Sequence, residues 1–294
     1  MSEPLADAVR GWLGAAVPDP VRALAQTLGR DAGADAVLFY GSNLRTGLLE
    51  GVLDFYVLLP GPAERGIWPT VSYHEIAHEG RVLRAKVATM RLATFRAASE
   101  GRRLDTTVWT RFAQPSALAW SQTAGAREAV VAAVAAAAIT ASRFAALLGP
   151  TEGTPSDFWR ALFRATYATE LRVERGGREE QLLAHGAAHL GPLLSVAWRA
   201  GQVDFGEDGG QLRPLIAPGE RRRLARQWRL RRRVGRPLNI VRLVRAAFTF
   251  EGAARYATWK IERHTGVAIA LTPWRERHPL LAAPGVLWRV WRAA

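Results

Sequence analysis

Two apolar segments joined through a glycine-serine turn constrain the fold of this chain more than any other feature of its sequence. The first, Ala36-Val-Leu-Phe-Tyr-Gly-Ser-Asn43, is typical of a buried strand that ends in a tight turn, because glycine lets the backbone approach a neighbouring group closely. The second, Gly51-Val-Leu-Asp-Phe-Tyr-Val-Leu-Leu59, predicts a partner strand. Together the two segments predict the start of a β-sheet.

The second segment holds a carboxylate among apolar side chains. Side chains alternate along a strand, so Asp54 and Tyr56 share one face. A buried carboxylate is costly unless a cation lies on it, and a divalent metal with hard oxygen ligands is the natural candidate. At Gly41 and Ser42, backbone N–H groups and a hydroxyl can bind phosphate oxygens. These residues therefore predict a nucleoside triphosphate site.

Two further strands, at 71–77 and 81–89, are predicted to form a hairpin that turns at Glu79-Gly80. Arg84 and Lys86 share a face of the second strand, so both can point at phosphates. A buried lysine here is charged only if an anion meets it. The alternative is a solvated lysine on an edge strand, and for Lys86 the sequence does not separate the two.

Metal ligands other than Asp54 are harder to find in this sequence. Glu75, on the preceding strand, is the candidate for a second carboxylate. The substrate phosphates can provide the remaining oxygens, because Mg2+ is often held by one or two carboxylates together with phosphate.

These motifs resemble those of a known family. Gly-Ser, eleven residues and then Asp on a strand is similar to the polymerase-beta-like nucleotidyltransferases, whose usual form is Gly-Ser followed by Asp-x-Asp. Here Tyr56 replaces the second Asp. The variation resembles the mitochondrial-type phosphatidate cytidylyltransferases, the translocator assembly and maintenance family. The elements that carry this likeness lie within residues 36–120: Tyr40-Gly41-Ser42, Leu53-Asp54-Phe55, Ser72-Tyr73-His74 and Arg84-Ala-Lys86.

The resemblance implies an enzyme that transfers CMP from CTP to phosphatidic acid and releases pyrophosphate, with Mg2+ as the cofactor. Asp54 would hold the metal, with Glu75 as the candidate second ligand. Gly41, Ser42 and Arg84 would bind the nucleotide phosphates, and Lys86 would stabilise developing charge. Two alternatives remain: a nucleotidyltransferase acting on RNA or a small molecule, and a non-catalytic basic adaptor for membranes or nucleic acid.

Composition favours an anionic partner. The net charge is +14, with 49% hydrophobic and 22% charged residues, which fits a globular protein. Nucleic acid, a phospholipid surface and nucleotide phosphates all qualify, and we expect an anionic membrane surface rather than a stable nucleic-acid partner. The first residues carry acid where a targeting peptide would carry base, so we expect a cytoplasmic protein that lies peripherally on the inner face of the membrane.

The fold is predicted to be α+β: a mixed sheet flanked by helices in a nucleotidyltransferase-like domain at 1–115, followed by a mainly helical, basic region at 116–294. Helical patterns are expected at 125–148, 155–174 and 179–200, with a loop at 201–219. The apolar run 129–142 is shorter than the about 20 residues that span a bilayer, so a core helix is expected. His185 and His189 have the spacing of a metal pair, but two ordinary helix-face histidines are the stronger interpretation.

The C-terminal region combines arginine with apolar side chains. Between Arg221 and Arg263, arginines alternate with residues such as Leu224 and Trp228, a pattern that suits a surface binding anionic headgroups. Trp288 and Trp291, beside further arginines, extend the same pattern. A basic solvated helix and a nucleic-acid surface are the alternatives.

Overall fold

A computed structural model describes residues 3–66, 68–169 and 178–277, with 282, 284–286 and 288. The protein is α+β, with a mixed sheet in the N-terminal half and a mostly helical C-terminal half, which confirms the predicted fold class. The elements before the helical half are α1 Glu3–Leu13, α2 Asp19–Asp31, β1 Ala36–Tyr40, α3 Ser42–Thr46, β2 Leu53–Leu59, β3 Thr70–His78, β4 Arg81–Arg91, α4 Leu92–Ser99, α5 Thr107–Phe112 and β5 Ser116–Ser121. Those that follow are α6 Ala124–Leu148, α7 Pro155–Thr169, α8 Arg178–Ala200, β6 Asp204–Asp208, β7 Gln211–Leu215, α9 Pro218–Thr249, α10 Ala253–Thr265 and α11 Pro273–Arg277.

The main sheet has five strands in the order β3-β4-β2-β1-β5. Strands β2 and β4 are parallel, and the other neighbours are antiparallel. The predicted hairpin is present: β3 and β4 pair up to His78 and Arg81 and leave Glu79-Gly80 as a two-residue turn. Both turn residues have positive φ, 49° and 76°, which is the conformation that matches the twist of a hairpin.

The two faces of this sheet are buried in different ways. Odd-numbered residues such as Phe55 and Val87 pack with α2 in one apolar cluster. Even-numbered residues such as Tyr56 and Met90 face α4, α5 and α6 in a larger cluster. The alternation is the one that the sequence predicts for Asp54 and Tyr56, and it places Asp54 on the α4–α6 side.

Helix α6 lies at the centre of the larger cluster. It begins where the Thr123 hydroxyl accepts a hydrogen bond from the Ala126 N–H at 3.0 Å, and it continues past the apolar run to Leu148. By length and composition it could cross a membrane, yet 72% of its apolar window is buried inside the protein. The packing is that of a core helix, as the sequence predicts.

Strand β5 pairs with β1, so the sheet includes residues that follow Pro115, and the domain boundary there stays a prediction. The structure departs from the sequence interpretation further along the chain. The predicted loop 201–219 contains a two-stranded hairpin, β6–β7, with Gly209 and Gly210 at its turn. Residues 170–174 of the predicted helix 155–174, and Trp291, lie outside the described residues.

Candidate functional site

Asp54, Lys86 and Tyr40 lie in one row across the sheet. In the strand register Tyr40 pairs with Asp54 and Asp54 pairs with Lys86, so all three side chains project from the same face. Tyr73 continues the row on β3, where it pairs with Lys86. The fold therefore places the two predicted catalytic residues, Asp54 and Lys86, on neighbouring strands, although 32 positions separate them in the sequence.

The predicted phosphate turn touches the carboxylate directly. Gly41 has φ 97°, and a Cβ added there would lie 3.0 Å from Asp54 Oδ2, so this position has no room for a side chain. Ser42 begins α3, directly after Gly41. Asn43 is 8% exposed, and its Nδ2 donates to the carbonyls of Leu48 and Glu50 at 2.8 Å each. Asn43 thereby holds the loop that leads back into β2.

Lys86 is partly buried beside Asp54. Burial lowers the pKa of its ammonium group below the ordinary value of 10.5, the carboxylate of Asp54 acts in the opposite direction, and the cations Arg111 and Lys260 lower it further. The row thus holds one carboxylate with three cationic side chains close by. Such a cluster is electrostatically suited to a polyphosphate anion.

Arg84 and Glu75 lie one step further out on the same face. The Arg84 guanidinium Nε contacts Glu75 Oε1 at 3.3 Å, and the same oxygen accepts a hydrogen bond from the Tyr73 hydroxyl at 2.9 Å. From the strand spacing, the Cα atoms of Glu75 and Asp54 are about 12 Å apart. The proposed roles of Glu75 as a metal ligand and Arg84 as a phosphate ligand stay predictions.

Tyr56 stands where the nucleotidyltransferase motif that this sequence resembles has its second acid. Its side chain is buried, and its hydroxyl accepts a hydrogen bond from Arg111 Nη1 at 3.0 Å. The Arg111 guanidinium also lies over the ring of Tyr40, 4.9 Å from its centroid. In place of a second carboxylate the site therefore has a tyrosine-arginine pair, which adds positive charge.

Helix α10 contributes residues that the sequence interpretation assigned to a membrane surface. Tyr73 and Tyr256 have ring centroids 5.4 Å apart, and the Arg84 guanidinium lies 5.4 Å from the ring centroid of Trp259. The pKa of Tyr256 is raised, first by burial and then by the charge of Asp54. The signal that points to α10 in the sequence is its lysine, because Lys86 and Lys260 are the two lysines of the chain.

No group of three or more His, Asp or Glu side chains is placed to hold a metal ion within the described ranges. His185 and His189 have separate partners: His185 Nδ1 contacts the Gln181 carbonyl at 2.7 Å, and His189 Nε2 contacts the Ala113 carbonyl at 3.0 Å. His189 also packs edge-on against Trp12. These contacts are those of helix-face histidines.

Comparison with protein-family models finds no match to this chain, and comparison with the sequences of curated proteins finds none either.

Proposed function

We propose that this protein is a magnesium-dependent nucleotidyltransferase that transfers CMP from CTP to phosphatidic acid, giving CDP-diacylglycerol and pyrophosphate. The observation that supports it best is that Asp54 and Lys86 are paired in one row of the sheet and that Gly41 lies beside Asp54. These are the positions at which the sequence resembles the mitochondrial-type phosphatidate cytidylyltransferases. Alternation along a strand determines the face of the sheet on which each side chain lies. The parallel pairing of β2 with β4 then brings Asp54 and Lys86 side by side.

The reaction does not require a strong general base. A phosphate oxygen of phosphatidic acid forms a bond to the α-phosphorus of CTP, while the bond from that phosphorus to the oxygen bridging to the β-phosphate breaks and pyrophosphate leaves. The attacking oxygen is already anionic, so no proton has to be removed. Rate enhancement then comes from positioning and from cations that meet the developing negative charge, which Lys86 and Arg111 are placed to provide.

The oxygen ligands that the described residues offer suit a metal ion that is held partly by the protein and partly by the substrate. Asp54 offers a hard oxygen beside the Gly41-Ser42 turn, where the triphosphate is expected. When bound, Mg2+ would neutralise charge on the triphosphate. A single protein carboxylate together with phosphate oxygens is an arrangement that Mg2+ accepts.

The exposed face of α9 supports an anionic membrane as the partner. Leu230, Ile240, Val241 and Val244 are all between 47% and 56% exposed and form a stripe along this helix. Exposed arginines flank the stripe at positions 226, 229, 233 and 236. Apolar side chains beside arginines suit a surface that buries its stripe between anionic headgroups.

Part of the sequence interpretation of this region needs correction. Leu224 and Trp228 were assigned to the lipid-facing surface, but they are 4% and 7% exposed and belong to the core. Trp228 packs against Phe144, with ring centroids 5.6 Å apart. Helix α9 therefore packs Leu224 and Trp228 on the core and leaves other side chains exposed.

The decisive experiment replaces Asp54 by Asn and measures CTP turnover with phosphatidic acid vesicles. The substitution removes charge and keeps shape, so we expect turnover to fall by about a hundredfold or more while the thermal unfolding midpoint stays within the range of the wild type. Asp204→Asn, at an exposed position of the β6–β7 hairpin, is the matched control. Near-native turnover in Asp54→Asn would contradict the proposed metal site.

A nucleotidyltransferase that acts on RNA is the second candidate, and the net charge of +14 favours it. Binding to phosphatidic acid vesicles and to single-stranded RNA, compared at matched ionic strength, separates the two acceptors. Tight RNA binding without sedimentation on vesicles would replace the lipid acceptor in our proposal.

A further inference from the structure

Both lysines of this chain lie at the same site. The sequence has 40 Lys and Arg residues, and all of them except Lys86 and Lys260 are arginine. Lys86 projects from the middle of the sheet beside Asp54, whereas Lys260 is an exposed residue of α10, more than 170 positions later. Elsewhere arginine supplies the positive charge, so a lysine on the sheet and a lysine on the helix that packs against it indicate a local chemical requirement.

The start of α10 is fixed on β3. Gly252 has φ 77°, and a Cβ added there would lie 2.6 Å from the Tyr73 carbonyl oxygen. The Tyr73 N–H donates a hydrogen bond to the Glu251 carbonyl at 2.9 Å, which joins the chain before α10 to the edge strand. Tyr73 is the residue that pairs with Lys86, so α10 begins at the row that carries the site.

The far end of α10 lies at the other side of the row. Arg263 approaches Gly51, where an added Cβ would be 3.1 Å from its Nη1. Gly51 precedes β2 and Asp54. The helix therefore runs from β3, next to Lys86, across to the loop before Asp54.

One face of α10 points to the row. Its members recur at the three- and four-residue spacings of a helix face, and they are Tyr256, Trp259, Lys260 and Arg263. The Trp259 ring lies between two guanidinium groups, 5.4 Å from that of Arg84 and 5.3 Å from that of Arg263. The Lys260 ammonium lies 5.9 Å from the centroid of the Tyr256 ring.

We propose that α10 forms the outer wall of the nucleotide site and that Lys260 is a second phosphate-binding lysine, contacting the triphosphate from the helix while Lys86 contacts it from the sheet. This inference rests on the proposed function, because it takes a nucleoside triphosphate as the ligand. A lysine ammonium group is compact and carried by a flexible side chain, so two of them can stay in contact with a triphosphate whose shape changes as a bond breaks. The planar guanidinium group of arginine is better suited to a fixed pair of oxygens.

A chain with two lysines allows a direct test by NMR. Reductive methylation with isotope-labelled formaldehyde turns each lysine into a dimethyl group that keeps its charge, so the full-length protein gives two lysine signals and one from its terminal amine. Lys260→Arg removes one signal and assigns the other to Lys86. Lys260→Gln removes the signal and the charge together, so it serves for the affinity measurement.

Addition of Mg-CTP then separates the inference from the proposed function. If both are correct, the nucleotide shifts both lysine signals. A shift of the Lys86 signal alone would overturn the role of α10 and leave the proposed function standing. If none of the four Mg-nucleoside triphosphates shifts either signal, the proposed function fails and this inference fails with it.

Affinity provides an independent measurement. Loss of one charge-assisted contact should weaken Mg-CTP binding by about tenfold or more in Lys260→Gln, and by less in Lys260→Arg. Arg255→Gln is the matched control, because Arg255 is on the same helix but pairs with Glu276 at 2.7 Å. Equal affinities of Lys260→Gln and the control in titration calorimetry would contradict the proposal.

Discussion

The burial and the pKa of Lys86 depend on the strands and residues around it. It is the one predicted site residue whose two interpretations, buried phosphate ligand or solvated edge lysine, the sequence leaves open. The structure puts it on β4, which is flanked by β2 and β3, so it is not on an edge strand. Burial lowers its pKa, which makes the ammonium group easier to deprotonate than an ordinary lysine.

This shift predicts a pH dependence of activity. Lys86 has to be protonated to meet phosphate, so kcat/KM for Mg-CTP should fall as the pH rises through its lowered pKa, below the ordinary 10.5. The tyrosines of the site cannot cause this loss, because the pKa values of Tyr40, Tyr73 and Tyr256 are all raised, with burial the leading cause. Lys86→Arg should lose the alkaline limb of the profile together with part of the maximal rate, and an unchanged limb would show that another group controls it.

Sequence patterns identify individual residues of this site better than they identify which of these residues are neighbours in space. Asp54 and Gly41 can be found from alternation and turn chemistry alone. The neighbour relation of Asp54 and Lys86 cannot, because alternation gives the face of each strand but neither the order nor the register of the strands. Lys260 belongs to a distant basic segment, and only its residue type distinguishes it from the surrounding arginines.

Among the elements, α10 begins at a close backbone contact with β3. Both ends of this helix have a glycine with positive φ, Gly252 at 77° and Gly266 at 71°. Gly252 packs on the Tyr73 carbonyl, whereas the space around Gly266 is open. The two glycines therefore have the same backbone requirement and different surroundings.

This difference predicts the outcome of two alanine substitutions. Gly266→Ala should cost about 1 to 2 kcal/mol, from backbone conformation alone. Gly252→Ala carries the same cost and also forces α10 away from β3, so we expect faster hydrogen exchange in α10 and a loss of CTP affinity that Gly266→Ala does not show. If the two variants have equal exchange rates in α10, then the contact with Tyr73 does not hold the helix in place.

The sequence predicts those secondary-structure elements whose residue types give a strong local signal. Glu79-Gly80 marks the β3–β4 hairpin because both residues accept positive φ at a tight turn, glycine freely and glutamate at some cost. The β6–β7 hairpin was missed because its strands hold Gly206, Pro214 and several acids, which are depleted in strands. Its pairing depends on tertiary contacts, among them the backbone bridge between Gly153 and Leu212.

Across the whole molecule, α9 joins the helical region to the sheet domain. Arg242 forms an ion pair with Asp105 at 2.8 Å, with both side chains largely buried, and its guanidinium lies 5.0 Å from the centroid of the Trp68 ring. Arg231, 3% exposed, reaches the carbonyl oxygens of Gly101 and Arg103. Composition indicated a basic surface here, but it could not show which arginines are structural, since that depends on helix packing.

The outer side of α9 predicts salt-dependent attachment to membranes. Replacing Arg229, Arg233 and Arg236 by Gln should weaken sedimentation with vesicles that contain phosphatidic acid, mainly at low salt, because headgroup attraction is screened by ions. Replacing Val241 and Val244 by Ser should weaken it at every salt concentration, because burial of apolar side chains is not screened in this way. Arg199→Gln, an exposed cation of α8, is the control, and a full-length protein that fails to sediment at any salt concentration would contradict the membrane proposal.

The crossing of α10 over the sheet also has a consequence for how the protein is made. The strands that carry Asp54 and Lys86 leave the ribosome early, while Tyr256, Lys260 and Arg263 are among the last parts of the described chain to emerge. A nascent or prematurely terminated chain that ends before residue 253 holds Asp54 and Lys86 but lacks α10. If α10 is the wall we propose, such a chain should not bind nucleotide, and binding should begin only after α10 has been synthesised and has packed on the sheet.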